Sequence, residues 1–318
     1  MKKTILLLSV ILLGFMCQAT YARSWDNDKE QFQAMSIKRA TPNTGPETAD
    51  YLTQDYMNAA KGCDDDEHLP AFLCSGVMLR GTNYSASYHS WDPSPQSQTS
   101  GGVSFSYLRK DSKYNKLAYG YVNGFVFDPF FYAPDGKYTD IDVMCSFPID
   151  ASTDNRVDKG CGEYTGHPES TTCQSQNIFT ADEWYQHYVQ YSRQHASECG
   201  FDTSEADEDT YNITDGFYQS ILSMAKIATE SFGTQNELRL ATWAQGMQDT
   251  LPIEAFFYIS GSSAGLSSAK NDQKDFYNNT TGNMWVPVIK ITLPTSSTGN
   301  ATFTYSDSDQ WVLQSKRK

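Results

Sequence analysis

Beyond Ala22 this chain holds no apolar run long enough to cross a bilayer, so no helical membrane anchor is expected there. It has no Cys-x-x-Cys pair, which argues against a thiolate zinc site, and no His-Glu-x-x-His, which removes a common zinc-hydrolase helix. Basic residues are scarce: 24 Lys and Arg face 38 Asp and Glu, a net charge of -14. Such a chain gains nothing electrostatically from DNA or anionic lipid, so a large nucleic-acid interface is excluded. Asp64-Asp65-Asp66-Glu67 is acidic enough to attract calcium, but it lacks the spaced ligands and glycine of an EF-hand and reads as a solvated loop. No internal repeat is found.

The amino terminus carries what the rest lacks. Lys2-Lys3 precedes an apolar stretch from Thr4 to Met16, and Thr20-Tyr21-Ala22 follows as a small-x-small cleavage pattern. This is the form of a bacterial secretory signal peptide over residues 1–22, too short for a membrane span. Its removal deletes two lysines and no acid, taking the charge from -14 to -16. It also removes Cys17 and leaves Cys63, Cys74, Cys145, Cys161, Cys173 and Cys199. An even count in an exported chain predicts disulfides. Sequence alone does not choose among the pairings, although Cys63 and Cys74 are close and bracket one acidic loop.

The remaining residues suffice for one elaborated domain. A polar arm is expected over 23–50, a single α+β domain over 51–310 and a basic tail over 311–318. A short helix is read over 53–61. Strands are read over 72–82, 103–108, 141–149, 255–260 and 285–293, with the Tyr-, Phe- and Val-rich stretch 117–132 between them. Ser94 to Gly102 reads as loop by composition. Thr180-Ala181-Asp182-Glu183 is a capping box, followed by Trp184, Tyr188 and Tyr191 on one helical face, with Gly200 able to close the helix. Asp215 is placed to cap a second helix.

Three short segments carry chemistry. Leu79-Arg80-Gly81-Thr82 puts an arginine at a strand end. Gly102-Val103-Ser104-Phe105-Ser106-Tyr107 puts two serines on one face of a strand. Phe232-Gly233-Thr234-Gln235-Asn236-Glu237 puts Gln235 and Glu237 on one side of an extended segment. A carboxylate beneath a ribose steadies an oxocarbenium-like centre, and an arginine's forked donors suit a pyrophosphate. In this order the segments resemble the ADP-ribosyltransferase and NAD glycohydrolase toxin superfamily of the Arg–Ser–Glu type, including the Gln-x-Glu of clostridial Rho-modifying exoenzymes. By overall character the chain is also similar to the secreted halovibrin group of NAD-cleaving proteins.

The resemblance implies a split β core with helical, disulfide-bearing elaboration, NAD as substrate, no metal, and ADP-ribose passed to a protein acceptor or to water. It implies Glu237, Gln235 and Arg80 as catalytic residues, with Arg80, Ser104, Ser106 and Phe232 binding NAD. Phe105 stands where the family has Thr. The interval from Ser106 to Gln235 becomes an insertion holding four cysteines and two helices. Residues 236–245 suit either conformation: Leu238 and Leu240 alternate as in a strand, whereas Leu238, Ala241 and Gln245 fit a helix.

A purely structural account makes Arg80 a salt-bridged surface arginine and Ser104 and Ser106 the polar side of a strand. A different chemistry comes from Gly261-Ser262-Ser263-Ala264-Gly265, the Gly-x-Ser-x-Gly pattern of a nucleophile elbow with Ser263 as nucleophile. No His follows it, since the last is His195, so the usual hydrolase order is broken. The remaining reading is a secreted, non-catalytic binding protein, for carbohydrate among other ligands, built on exposed aromatics.

Overall fold

The computed structural model describes residues 44–63, 70–83, 87–100, 102–128, 142–150, 172–190, 199–203, 213–230, 232–241, 253–280 and 282–314. The signal peptide expected over 1–22, the expected arm up to residue 43, the acidic run 64–67, Tyr191, Gln245 and residues 315–318 lie outside these.

The fold is mixed α/β. Nine strands form a sheet in the order β5-β4-β6-β2-β1-β3-β7-β8-β9. They are β1 (Val77–Gly81), β2 (Val103–Leu108), β3 (Asn123–Phe127), β4 (Asp142–Phe147), β5 (Phe201–Asp202), β6 (Glu237–Ala241), β7 (Ile253–Ile259), β8 (Val288–Thr292) and β9 (Thr302–Tyr305). Neighbours are antiparallel except β7 and β8, which run parallel. A parallel pair needs a long crossover, and the helix Ser263–Asn279 lies between these two strands in the chain.

Five α-helices are described: α1 (Gly45–Met57), α2 (Pro95–Ser100), α3 (Ala181–Gln190), α4 (Ile213–Glu230) and α5 (Ser263–Asn279). Alternation sorts the strand side chains onto two faces. Met78, Phe105, Phe125, Leu238 and Phe256 share one cluster with Phe217 and Ile221 of α4 and Phe276 of α5. Val77, Leu79, Val126, Phe257 and Ile289 share another with Ala49, Leu52 and Tyr56 of α1. Helices therefore cover both faces of the central strands.

α1 begins inside the segment expected to be a polar arm. Thr44 caps it, and Glu47 reaches back to the Thr44 N–H at 2.7 Å, a capping box that fixes the start ahead of the apolar positions. Tyr56 seals the other end: its ring lies 5.8 Å from Phe303, and its hydroxyl accepts from the Ala301 N–H at 3.1 Å.

Cys63 pairs with Cys74, as their spacing suggested, and Cys173 pairs with Cys199. Cys145 is also disulfide-bonded. The second pair sits in a third cluster with Trp184, Tyr188, Phe201 and Ile227. The Thr180–Glu183 capping box forms as read, with the Thr180 N–H donating to Glu183 at 3.0 Å. Gly200, read as able to close that helix, bridges Thr172 beside β5. Asp215 lies within the first turn of α4, not at its cap. The stretch 311–314, expected as the start of a basic tail, is docked: the Trp311 N–H donates to Gln273 and the Trp285 indole donates to the Val312 carbonyl.

Candidate functional site

The open alternative at 236–245 resolves in favour of a strand for its first part. Leu238 and Leu240 are fully buried in the helix-covered face, so period-two alternation turns Glu237 and Arg239 to the opposite face. β6 pairs antiparallel with β2 in the register Val103↔Leu240, Ser104↔Arg239 and Phe105↔Leu238. Ser104 therefore stands directly across from Arg239 and diagonally from Glu237, within reach of both.

The pairing between β1 and β2 ends at Leu79↔Ser106. Past that point the Arg80 guanidinium takes the place of a ladder partner for the Ser104 carbonyl, Nη1 donating to it at 2.7 Å. Arg80 Nη2 also donates to Ser97 Oγ at 3.4 Å. Ser97 belongs to α2, in the segment read as loop. The signal for a helix there was Ser94-Pro95, a cap residue followed by the one residue type favoured at the first helical position. The Ser94 hydroxyl accepts from the Ser97 N–H at 3.2 Å.

These elements border one open cleft of about 470 Å³, within the range of small-molecule sites. Arg80, Ser104, Ser106, Gln235 and Glu237 all line it. Phe232 does not: it lies outside the lining, and its carbonyl accepts from Asn115 Nδ2 at 3.4 Å. The Ser104 hydroxyl donates to Glu237 Oε1 at 2.6 Å and accepts from Arg239 Nη1 at 2.7 Å. Glu237 is only 3% exposed, so its carboxylate is shielded at the cleft floor. Burial, and next the positive charge of Arg239, hold the Arg80 guanidinium down at about 10, which leaves it cationic at neutral pH.

Gln235 is placed differently from its expected role. Its side-chain carbonyl accepts from the Ala118 N–H, and its amide donates to Asp150 Oδ2 at 3.4 Å. It thus secures the turn after Leu117, which carries Tyr119 into the cleft mouth. Tyr119 is 69% exposed, has φ of 52°, and pairs with the Tyr121 ring at 5.8 Å. The middle residue of the triplet, Asn236, sequence reasoning passed over. It accepts from the Tyr107 N–H at 2.8 Å, donates to the Tyr107 carbonyl at 3.1 Å and to Ser112 Oγ at 2.9 Å. A side-chain amide here replaces a strand neighbour and locks β6 against β2.

The Gly-x-Ser-x-Gly segment does lie between a strand and a helix. Its chemistry is local: the Ser262 hydroxyl caps α5 by accepting from the Gly265 N–H at 2.9 Å. Gly261 supplies the turn at φ of 87°. Gly265 allows close approach, since a Cβ there would meet the Val122 carbonyl at 2.4 Å. His89, which precedes Ser263 in the chain, is engaged through Nδ1 by Asp275 and stacks on Trp91 at 4.4 Å.

Among the described residues no group of three His, Cys, Asp or Glu is arranged to hold a metal, and no helix is long and apolar enough to cross a membrane. No protein-family model and no curated protein matches the chain.

Proposed function

We propose that this protein is an exported NAD-consuming enzyme that cleaves the nicotinamide–ribose bond, as an ADP-ribosyltransferase or an NAD glycohydrolase. The observation that carries the reading is the hydrogen-bonded set Arg80–Ser104–Glu237, drawn from three strands into one cleft. Residues 24 and 133 positions apart in sequence meet there, in the order that the toxin superfamily uses. The chemistry follows from the donors. The C1′–N bond of NAD breaks with its electron pair going to nicotinamide, which neutralises the pyridinium and needs no proton. Positive charge then develops on the ribose, and the shielded Glu237 carboxylate stabilises it in a setting where a fixed charge acts strongly. Ser104 holds that carboxylate in place. Arg80 presents its remaining donor capacity to the diphosphate. Water, or a nucleophile of a protein acceptor, attacks C1′ and gives up its proton to bulk water through the open cleft.

The leader-like pattern over residues 1–22, together with disulfides among the described residues, supports an extracellular or periplasmic setting. The test is release of nicotinamide from NAD by the purified mature protein. Glu237→Gln keeps the shape and removes the charge, and is expected to lower turnover by about 1,000-fold or more, the scale of losing a key electrostatic group. Absence of NAD cleavage in the wild type, or turnover unchanged by this substitution, overturns the assignment.

A further inference from the structure

Arg239 has no counterpart among the residues that suggested the activity, yet it completes the polar chain on the cleft floor. It is 4% exposed, two positions after Glu237 on the same strand face, and its cross-strand partner is Ser104. A guanidinium only donates. Its bond to Ser104 Oγ therefore occupies the hydroxyl as an acceptor, and the single hydroxyl proton goes to Glu237 Oε1. The second cation, Arg80, approaches Ser104 from the other side but uses the backbone carbonyl, so it has no hold on the hydroxyl's direction.

We infer that Arg239 is a positioning residue that acts through Ser104: it forces the serine proton onto Glu237 and so fixes the carboxylate under the substrate ribose. The clause about ribose rests on the proposed NAD chemistry, whereas the hydrogen-bond relay stands on geometry alone. A neutral residue at 239 frees Ser104 to donate elsewhere, and the Glu237 side chain then samples more than one rotamer. Misplacement of a reacting group by about 1 Å costs on the order of 100-fold.

Two measurements test this. The first is kinetic. Arg239→Gln is expected to lower kcat for NAD cleavage by about 100-fold with a smaller change in KM, because Arg239, although it lines the cleft, is 4% exposed and spends a donor on Ser104. Arg239→Lys, which keeps a cationic donor, is expected to recover part of the loss. In a Ser104→Ala background the Arg239→Gln effect is expected to vanish, since the relay is already cut; additive losses would overturn the proposal. The second is a crystal structure of the ligand-free Arg239→Gln protein, or of Arg239→Met if the first does not fold. Loss of the Ser104–Glu237 hydrogen bond is expected. Its retention would overturn the relay whatever the activity. A wild type inert toward NAD whose Arg239→Gln variant nonetheless releases Glu237 would sink the NAD reading and leave the relay standing.

Discussion

Two serines at strand ends in this sheet carry opposite lessons. Ser262 sits in the more recognisable sequence pattern, but its hydroxyl accepts a helix N–H and does no more than start α5. Ser104 sits in an unremarkable Ser-Phe-Ser strand, yet its hydroxyl joins a buried cation to a buried carboxylate at the floor of a cleft. The difference lies in the partners that strand register brings alongside. A capped helix end satisfies its serine locally, within three residues. A serine opposite an arginine, on the cleft side of the sheet, is satisfied here by charged side chains distant in sequence.

The sharpest way to break this contrast is to exchange the two regions' importance by mutation. Glu237→Gln removes the expected catalytic charge and Ser263→Ala removes the elbow hydroxyl. NAD cleavage is expected to fall by about 1,000-fold in the first and to stay at wild-type level in the second. Fluorophosphonate labelling that disappears in Ser263→Ala would reverse the comparison and favour an esterase.

Next in size is Arg80→Lys. A lysine keeps the charge but not the fork that spans the Ser104 carbonyl and Ser97 hydroxyl. A loss in kcat/KM of about 30–100-fold is expected, carried largely by KM because the lost contacts anchor the ligand. Steady-state kinetics on NAD measure it.

The wall of the cleft is tied to the elbow helix at Ser90 as well as at His89, and pH reads the Ser90 bond. Ser90, which lines the cleft, donates to Asp272 of α5 at 2.6 Å. Burial pushes the Asp272 carboxyl up to about 6; the Ser90 hydroxyl opposes this and the charge of Asp275 adds to it. A raised folded-state pKa means the native form binds the proton more tightly, so this group favours folding below about pH 4 and loses that contribution as pH rises through about 6. Against Asp272→Asn, wild-type stability is expected to decline by roughly 2–3 kcal/mol across that window, measured by urea unfolding at several pH values. A flat difference would show that Asp272 is not held protonated by burial beside Ser90.

Much of this was legible because period-two alternation is a strong signal where one face is buried. Leu238 and Leu240 carried one of the two readings of 236–245, and the strand reading sets the cleft-facing side of Glu237; the same alternation pointed to Arg239 and went unused. What the sequence hid was partner choice. Gln235 looked available to meet an acceptor, but the Ala118 N–H and Asp150 claim its amide. Phe232 neighbours the motif in sequence without reaching the cleft, since the chain only enters the sheet at Glu237. α2 was missed because its polar composition outweighed its Ser-Pro start; of α1 the helix read over 53–61 caught only the end, because Thr44 and Glu47 stood inside a segment read as polar. The long span between Ser106 and Gln235 supplies β4, β5, α3 and α4, and β4 pairs directly with the strand bearing Glu237. An apparent insertion thus forms part of the sheet that supports the site.

The smallest effect belongs to Ser262 itself. If its hydroxyl only caps α5, Ser262→Ala should cost about 1 kcal/mol, a fall in Tm of about 2 °C for a chain of this size, with NAD turnover unchanged. The lost bond takes from the Gly265 N–H its capping acceptor, and the glycines on either side keep the turn open without it. Ser104→Ala should show the reverse pattern, a large loss of turnover with a small change in Tm, because cutting that hydroxyl leaves the backbone register with β6 intact. Turnover loss in both variants would mean that the β7–α5 turn also serves the reaction, and the division of labour between the two serines would fail.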